Sequence, residues 1–142
     1  MPEPQTVEIL RIPSSLDELP AVDSMVERIA GEMGFEESAR ADLGICVTEA
    51  AGNAIVHAHH EQPALDVEIR FVRYRDRLRV EVRDHGAGFD PRSVPDPTLP
   101  ENLLKISGRG LHLIRALMDE VAVNRLPDGM QVVMIKRMSS PA

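Results

Sequence analysis

Apolar residues recur along this chain in two distinct rhythms. Thr6 to Ile12 mixes alternation with β-branched residues and stops at Pro13, which predicts a strand. Ser15-Leu-Asp-Glu18 has the form of a capping box, but Pro20 follows closely, so the first helix is expected from about Pro20. Val22, Met25, Val26 and Ile29 form its apolar stripe, and Gly34 suits a left-handed cap at its end. Glu36 and Glu37 open a second helix, where negative charge is favoured. Ala39, Leu43, Cys46, Val47, Ala50 and Ala54 then keep the three-and-four spacing of a buried helical face.

The rhythm changes again downstream. Leu65 to Tyr74 and Leu78 to Arg83 are strand-like around an Arg75-Asp-Arg77 turn. Asp84 to Ser107 is irregular and carries Pro91, Pro95, Pro97 and Pro100; a loop of that length in a small domain is usually functional or disordered. Leu111 to Met118 predicts a helix starting directly after Gly110. Val121 to Leu126 and Gln131 to Arg137 predict a closing hairpin around Pro127-Asp-Gly129. The order β-α-α-β-β-α-β-β implies an α/β (α+β) two-layer sandwich, with helices on one face of a mostly antiparallel mixed sheet.

Composition narrows the class. The 142 residues suit one domain, residues 1–142, with a real core. A net charge of −7 disfavours a direct nucleic-acid binder, whose affinity comes largely from Lys and Arg on phosphates. A single cysteine, Cys46, permits no intrachain disulfide and suits a reducing compartment. No leader-like or membrane-spanning apolar run occurs, so a cytoplasmic protein without membrane contact is expected.

Three short segments carry candidate chemistry. Glu49 and Asn53 lie four apart on the second helix, on the flank of its apolar stripe at about 100° per residue. A carboxylate there can take a proton from a hydroxyl, and an amide oxygen can ligate Mg²⁺, which keeps most of its shell as water and phosphate. The pair is equally what an ordinary polar helix edge looks like. Asp84 ends a strand and precedes Gly86 and Gly88; it can accept from an exocyclic amino group while the glycines let backbone approach a flat base, or it can simply close a turn. Gly108-Arg-Gly110 precedes a helix whose free amides suit phosphate, with Arg109 adding charge; a plain hinge is the alternative. Neither a Walker loop nor a Rossmann fingerprint is present. His57 shares the Glu49–Asn53 stripe and could face the same cavity, but His57, His59 and His60 have no further ligand pair to complete a zinc set.

In this order, the three segments resemble the Bergerat ATP-binding fold of the GHKL superfamily, over nearly the whole chain. Thr48 to Ala58 is similar to the corresponding box of the anti-sigma factor serine/threonine kinases. The resemblance implies Glu49 as catalytic base, Asn53 as Mg²⁺ ligand and Asp84 as the adenine contact. Gly86 and Gly88 would shape the base pocket. Gly108, Arg109, Gly110 and Leu111 would surround the phosphates of ATP or ADP under a lid of about residues 90–107. It implies a homodimer that binds a sigma factor and phosphorylates a serine of a STAS-domain anti-anti-sigma antagonist. The resemblance does not locate the dimer surface; the N-terminal strand and first helix are candidates, because the ATP site uses later elements. Histidine kinases usually carry asparagine where Glu49 stands and need a helix bearing the phosphoacceptor, for which the chain offers no room upstream; gyrase-type ATPases attach transducer domains. One departure stands out: where the family often has Gly-Thr entering the last strand, Gly129 is followed by Met130-Gln131. The missing hydroxyl keeps a second function open, a nucleotide-responsive partner-binding module without kinase activity.

Overall fold

The computed structural model describes residues 6–85 and 110–138. Five strands, β1 (Thr6–Pro13), β2 (Asp66–Arg73), β3 (Arg77–Asp84), β4 (Glu120–Leu126) and β5 (Gly129–Arg137), form one sheet in the order β1-β2-β3-β5-β4. Every pairing among them is antiparallel, so the mixed character expected from the sequence is absent from the described strands. Three helices, α1 (Leu19–Met33), α2 (Glu37–Asn53) and α3 (Gly110–Leu117), complete the described elements together with short 3₁₀ and π segments.

The helices pack on one sheet face because each strand alternates. Ile69 and Phe71 of β2, Val80 and Val82 of β3, and Val132 and Met134 of β5 are matched in register and buried. Against them lie Val26 and Ile29 of α1, Leu43 and Val47 of α2, and Leu111 and Ile114 of α3. Met25, placed on the α1 stripe by the sequence pattern, is only partly buried.

Local chemistry sets the element ends much as the sequence suggests. Ser15 caps a 3₁₀ turn over Leu16–Glu18, its hydroxyl accepting from the Asp17 amide at 3.3 Å, and α1 then starts at Leu19 with Pro20 in its first turn. Gly34 ends α1 at φ 91°, the left-handed value that glycine adopts without penalty. The end of α2 differs from expectation. After Asn53 the helix widens into a π-helical turn over Ala54–Ala58, closed by His59 N–H donating to the Ala54 carbonyl at 3.0 Å. His60 and Glu61 follow with φ of 50° and 56°.

Candidate functional site

The site is built where the end of α2, the end of β3 and the start of α3 meet the helix-facing side of the sheet. Glu49 and Asn53 sit one turn apart on α2. Glu49 is half-buried and makes no hydrogen bond or ion pair with any described residue. Asn53 is 4% exposed, deeper than a flank position suggests, and its buried Nδ2 has no partner among the described residues. A buried amide normally finds a partner, so an unsatisfied one calls for an explanation. The assignment of N and O in an amide follows from its partners, so a ligand on this side can meet either atom.

Asp84 is the last residue of β3 and shares the parity of Val80 and Val82, which directs it to the helical layer. The backbone amide of Met130, its register partner on β5, donates to Asp84 Oδ1 at 3.1 Å. The chain can approach this closely because residue 129 is glycine: a Cβ there would lie 2.0 Å from the Asp84 carbonyl oxygen. Met130 also has the helix-facing parity, so an apolar thioether stands beside Asp84. Gln131 points to the other face, donating to Glu81 Oε1 at 3.1 Å and accepting from Asn124 Nδ2 at 3.2 Å.

At the third segment, α3 begins at Gly110 and packs on α2. Leu111 is 2% exposed and belongs to the core, so it serves the helix start through its backbone rather than its side chain. Gly86, Gly88, Gly108, Arg109 and the expected lid over residues 90–107 lie outside the described residues.

The histidines are arranged differently from the sequence expectation. His57 is exposed and does not join Asn53 on a buried face, because the π-turn shifts the phase of the helix after residue 53. The same turn carries His59 inward until it is fully buried. Burial holds the His59 imidazole pKa below its usual value, against the opposing pull of the Asp84 charge. The burial of His59 is invisible to helical periodicity, because a π-turn has no sequence period of its own. Among the described residues no group of three or more His, Cys, Asp or Glu is placed to hold a metal ion, and no helix is long and apolar enough to cross a membrane.

Residues 12–136 match the histidine kinase-like ATPase domain family. The serine-protein kinase RsbW of Bacillus subtilis is 34% identical over 133 residues, covering 89% of this chain and 82% of that protein. The chain belongs to the RsbW serine-protein kinase family. RsbW of Oceanobacillus iheyensis is 29% identical over 133 residues, covering 89% of this chain and 84% of its own. Solved structures agree on the fold. The RsbU and RsbW domains of a Mycobacterium tuberculosis protein superpose with a TM-score of 0.72 at 18% identity, covering 98% of this chain. This chain spans 34% of that two-domain chain. The histidine kinase domain of a blue-light-activated kinase from Erythrobacter litoralis superposes less closely, with a TM-score of 0.50 at 22% identity over 89% of this chain and 61% of its own. The two-layer GHKL architecture expected from the sequence is therefore the family's own.

Proposed function

We propose that this chain is a single ATPase-type domain that acts as an anti-sigma regulator. It binds a sigma factor and transfers the γ-phosphoryl group of ATP to a serine of a STAS-type antagonist. The observation that carries this assignment is Asn53, whose buried Nδ2 has no partner among the described residues, one turn from the Glu49 carboxylate, which is likewise unpaired among them. Family membership gives that pairing its direction, since its relatives are named serine-protein kinases.

Each residue has a role that its surroundings suit. Glu49, without a competing hydrogen bond among the described residues, is available to accept the proton of the substrate serine as its oxygen attacks the γ-phosphorus and ADP leaves. Asn53 fits a hard cation: its amide oxygen is the kind of ligand Mg²⁺ takes one or two of. When bound, Mg²⁺ would offset the charge of the phosphates. Asp84, held by the Met130 amide, would accept from the adenine amino group. Gly86 and Gly88 would lie under the base; Gly108, Arg109, Gly110 and the Leu111 backbone would surround the phosphates beneath a lid over about residues 90–107. A cytoplasmic homodimer completes the proposal.

Labelled ATP, Mg²⁺ and a STAS-domain antagonist test it directly. Transfer to a serine of the antagonist by the wild type, lost in Glu49→Ala with nucleotide binding kept, is the expected result. Transfer by Glu49→Ala at the wild-type rate removes Glu49 as base. The apolar Met130 beside Asp84 favours one rival, a module that holds its partner in a nucleotide-dependent way without transfer. Complex formation that responds to nucleotide while no label moves selects that rival.

A further inference from the structure

Among the described residues His59 makes no hydrogen bond to Glu49 or to the start of α3, yet both of its ring nitrogens are engaged. Nε2 lies 2.9 Å from the backbone nitrogen of His85, the residue after Asp84. Nδ1 lies 2.7 Å from Ser14 Oγ, and that hydroxyl lies 2.5 Å from the Leu65 carbonyl oxygen. Ser14, directly after β1, is fully buried as well.

Only one proton arrangement satisfies this chain. A backbone N–H can only donate, so Nε2 must accept and carries no proton. The neutral ring then bears its proton on Nδ1 and donates to Ser14 Oγ. The serine hydrogen is left for the Leu65 carbonyl. A second ring proton would set an N–H against the His85 N–H. The lowered His59 pKa agrees with a ring kept neutral; the charged or titratable groups around it are Asp84 and His85 at the end of β3 and Asp66 at the start of β2.

We infer that His59 is a positioning residue for nucleotide binding: it accepts from the His85 amide and so fixes the end of β3 that carries Asp84. The Met130 amide holds the Asp84 carboxylate from the β5 side, and His59 holds the following peptide from the α2 side. Ser14 accepts from Nδ1–H and so supports the tautomer in which Nε2 accepts. The inference rests on the proposed role of Asp84 at the nucleotide.

Two variants divide the ring's contacts. Gln at residue 59 can place its carbonyl near the position of Nε2, whereas Asn reaches only the position of Nδ1. ADP affinity measured by calorimetry, with thermal unfolding alongside, is expected to stay within about twofold in His59→Gln and to fall by about three- to tenfold in His59→Asn, as loss of one hydrogen bond allows. Equal losses in both variants that track the loss of Tm would make His59 a structural pin and overturn the inference. Asp84→Asn is measured in parallel. If it weakens ADP while His59→Asn does not, the inference fails and the role of Asp84 stands. If Asp84→Asn binds like the wild type, the role of Asp84 fails and the inference with it. Should the residue 59 variants not fold, the protonation of the wild-type ring decides the matter. In the wild type, ¹⁵N NMR at neutral pH is expected to show the Nδ1–H tautomer of His59; an Nε2–H ring or an imidazolium overturns the inference without any substitution.

Discussion

Gly129→Ala tests the closest approach in the site. Gly129 has φ 154°, outside the range that L residues prefer, and its absent Cβ would stand 2.0 Å from the Asp84 carbonyl oxygen and 2.8 Å from the carbonyl carbon. Even a tight contact is no shorter than 3.0 Å, so β5 and β3 must separate by at least the 1.0 Å difference, and the obstacle is backbone rather than a rotatable side chain. Overpacking of this kind costs about 1–3 kcal/mol, and an alanine held in a disfavoured conformation adds about 1–3 kcal/mol more. A loss of about 2–6 kcal/mol is expected, a large share of the roughly 5–15 kcal/mol that holds a typical domain together.

The same movement has a functional consequence. The Met130 amide donates to Asp84 Oδ1 at 3.1 Å, and a shift of that size takes it beyond hydrogen-bond range. Nucleotide affinity should therefore fall even at temperatures where the variant remains folded. Urea unfolding gives the stability change, and ADP titration well below the variant's Tm gives the affinity change. A loss below about 1 kcal/mol with unaltered affinity would show that β3 and β5 do not meet at Gly129 as described.

Three further outcomes are expected. Asn53→Ala should weaken ADP binding in the presence of Mg²⁺ far more than in its absence, by titration calorimetry; equal loss in both would take Asn53 away from the cation. Cys46 is fully buried, and burial, followed by the Asp42 charge, pushes its thiol pKa up to about 12, so a thiol reagent at neutral pH should label it only on unfolding; rapid stoichiometric labelling of native protein would contradict that burial. His59 binds a proton less readily folded than unfolded, so its contribution to stability is complete above the ordinary value of 6.5 and is lost as pH falls through the lower folded value. Urea midpoints across that window should fall more steeply with acid in the wild type than in His59→Gln, and identical slopes would exclude a neutral buried ring.

What is legible in the sequence, and what is not, follows from the range of each interaction. Strand alternation and helix spacing report on which face a residue buries, so β2, β3, α1 and α2 are visible within a residue or two of their bounds. Pro20 and Gly34 act through local backbone preference and are equally readable. The insertion of β5 between β3 and β4 is a pairing choice between distant segments, which no local period encodes. Glu49, Asn53 and Asp84 can be nominated because their spacing and neighbours are local. That Asn53 Nδ2 is buried without a partner among the described residues, that Met130 rather than Gln131 stands beside Asp84, and that Ser14 meets His59 across 45 residues are facts of packing and register.

The exit from α2 shows why the distortion there points to the site rather than to a mere helix end. Gly34 ends α1 with a left-handed residue at no steric cost. The segment after α2 instead places His60 and Glu61 at positive φ, at roughly 1–2 kcal/mol per residue for a side chain in that region. Against that cost stand the two hydrogen bonds of the His59 ring, each worth about 0.5–1.5 kcal/mol. Those magnitudes nearly cancel, so stability alone gives little reason for this exit over a glycine cap. What differs between the two solutions is geometry. The π-turn begins at the residue after Asn53, and its end delivers an acceptor to the peptide after Asp84. One local distortion thus sets the α2 residue proposed for the cation and the β3 residue proposed for the base in a fixed relation, which neither an undistorted helix nor a glycine exit would supply.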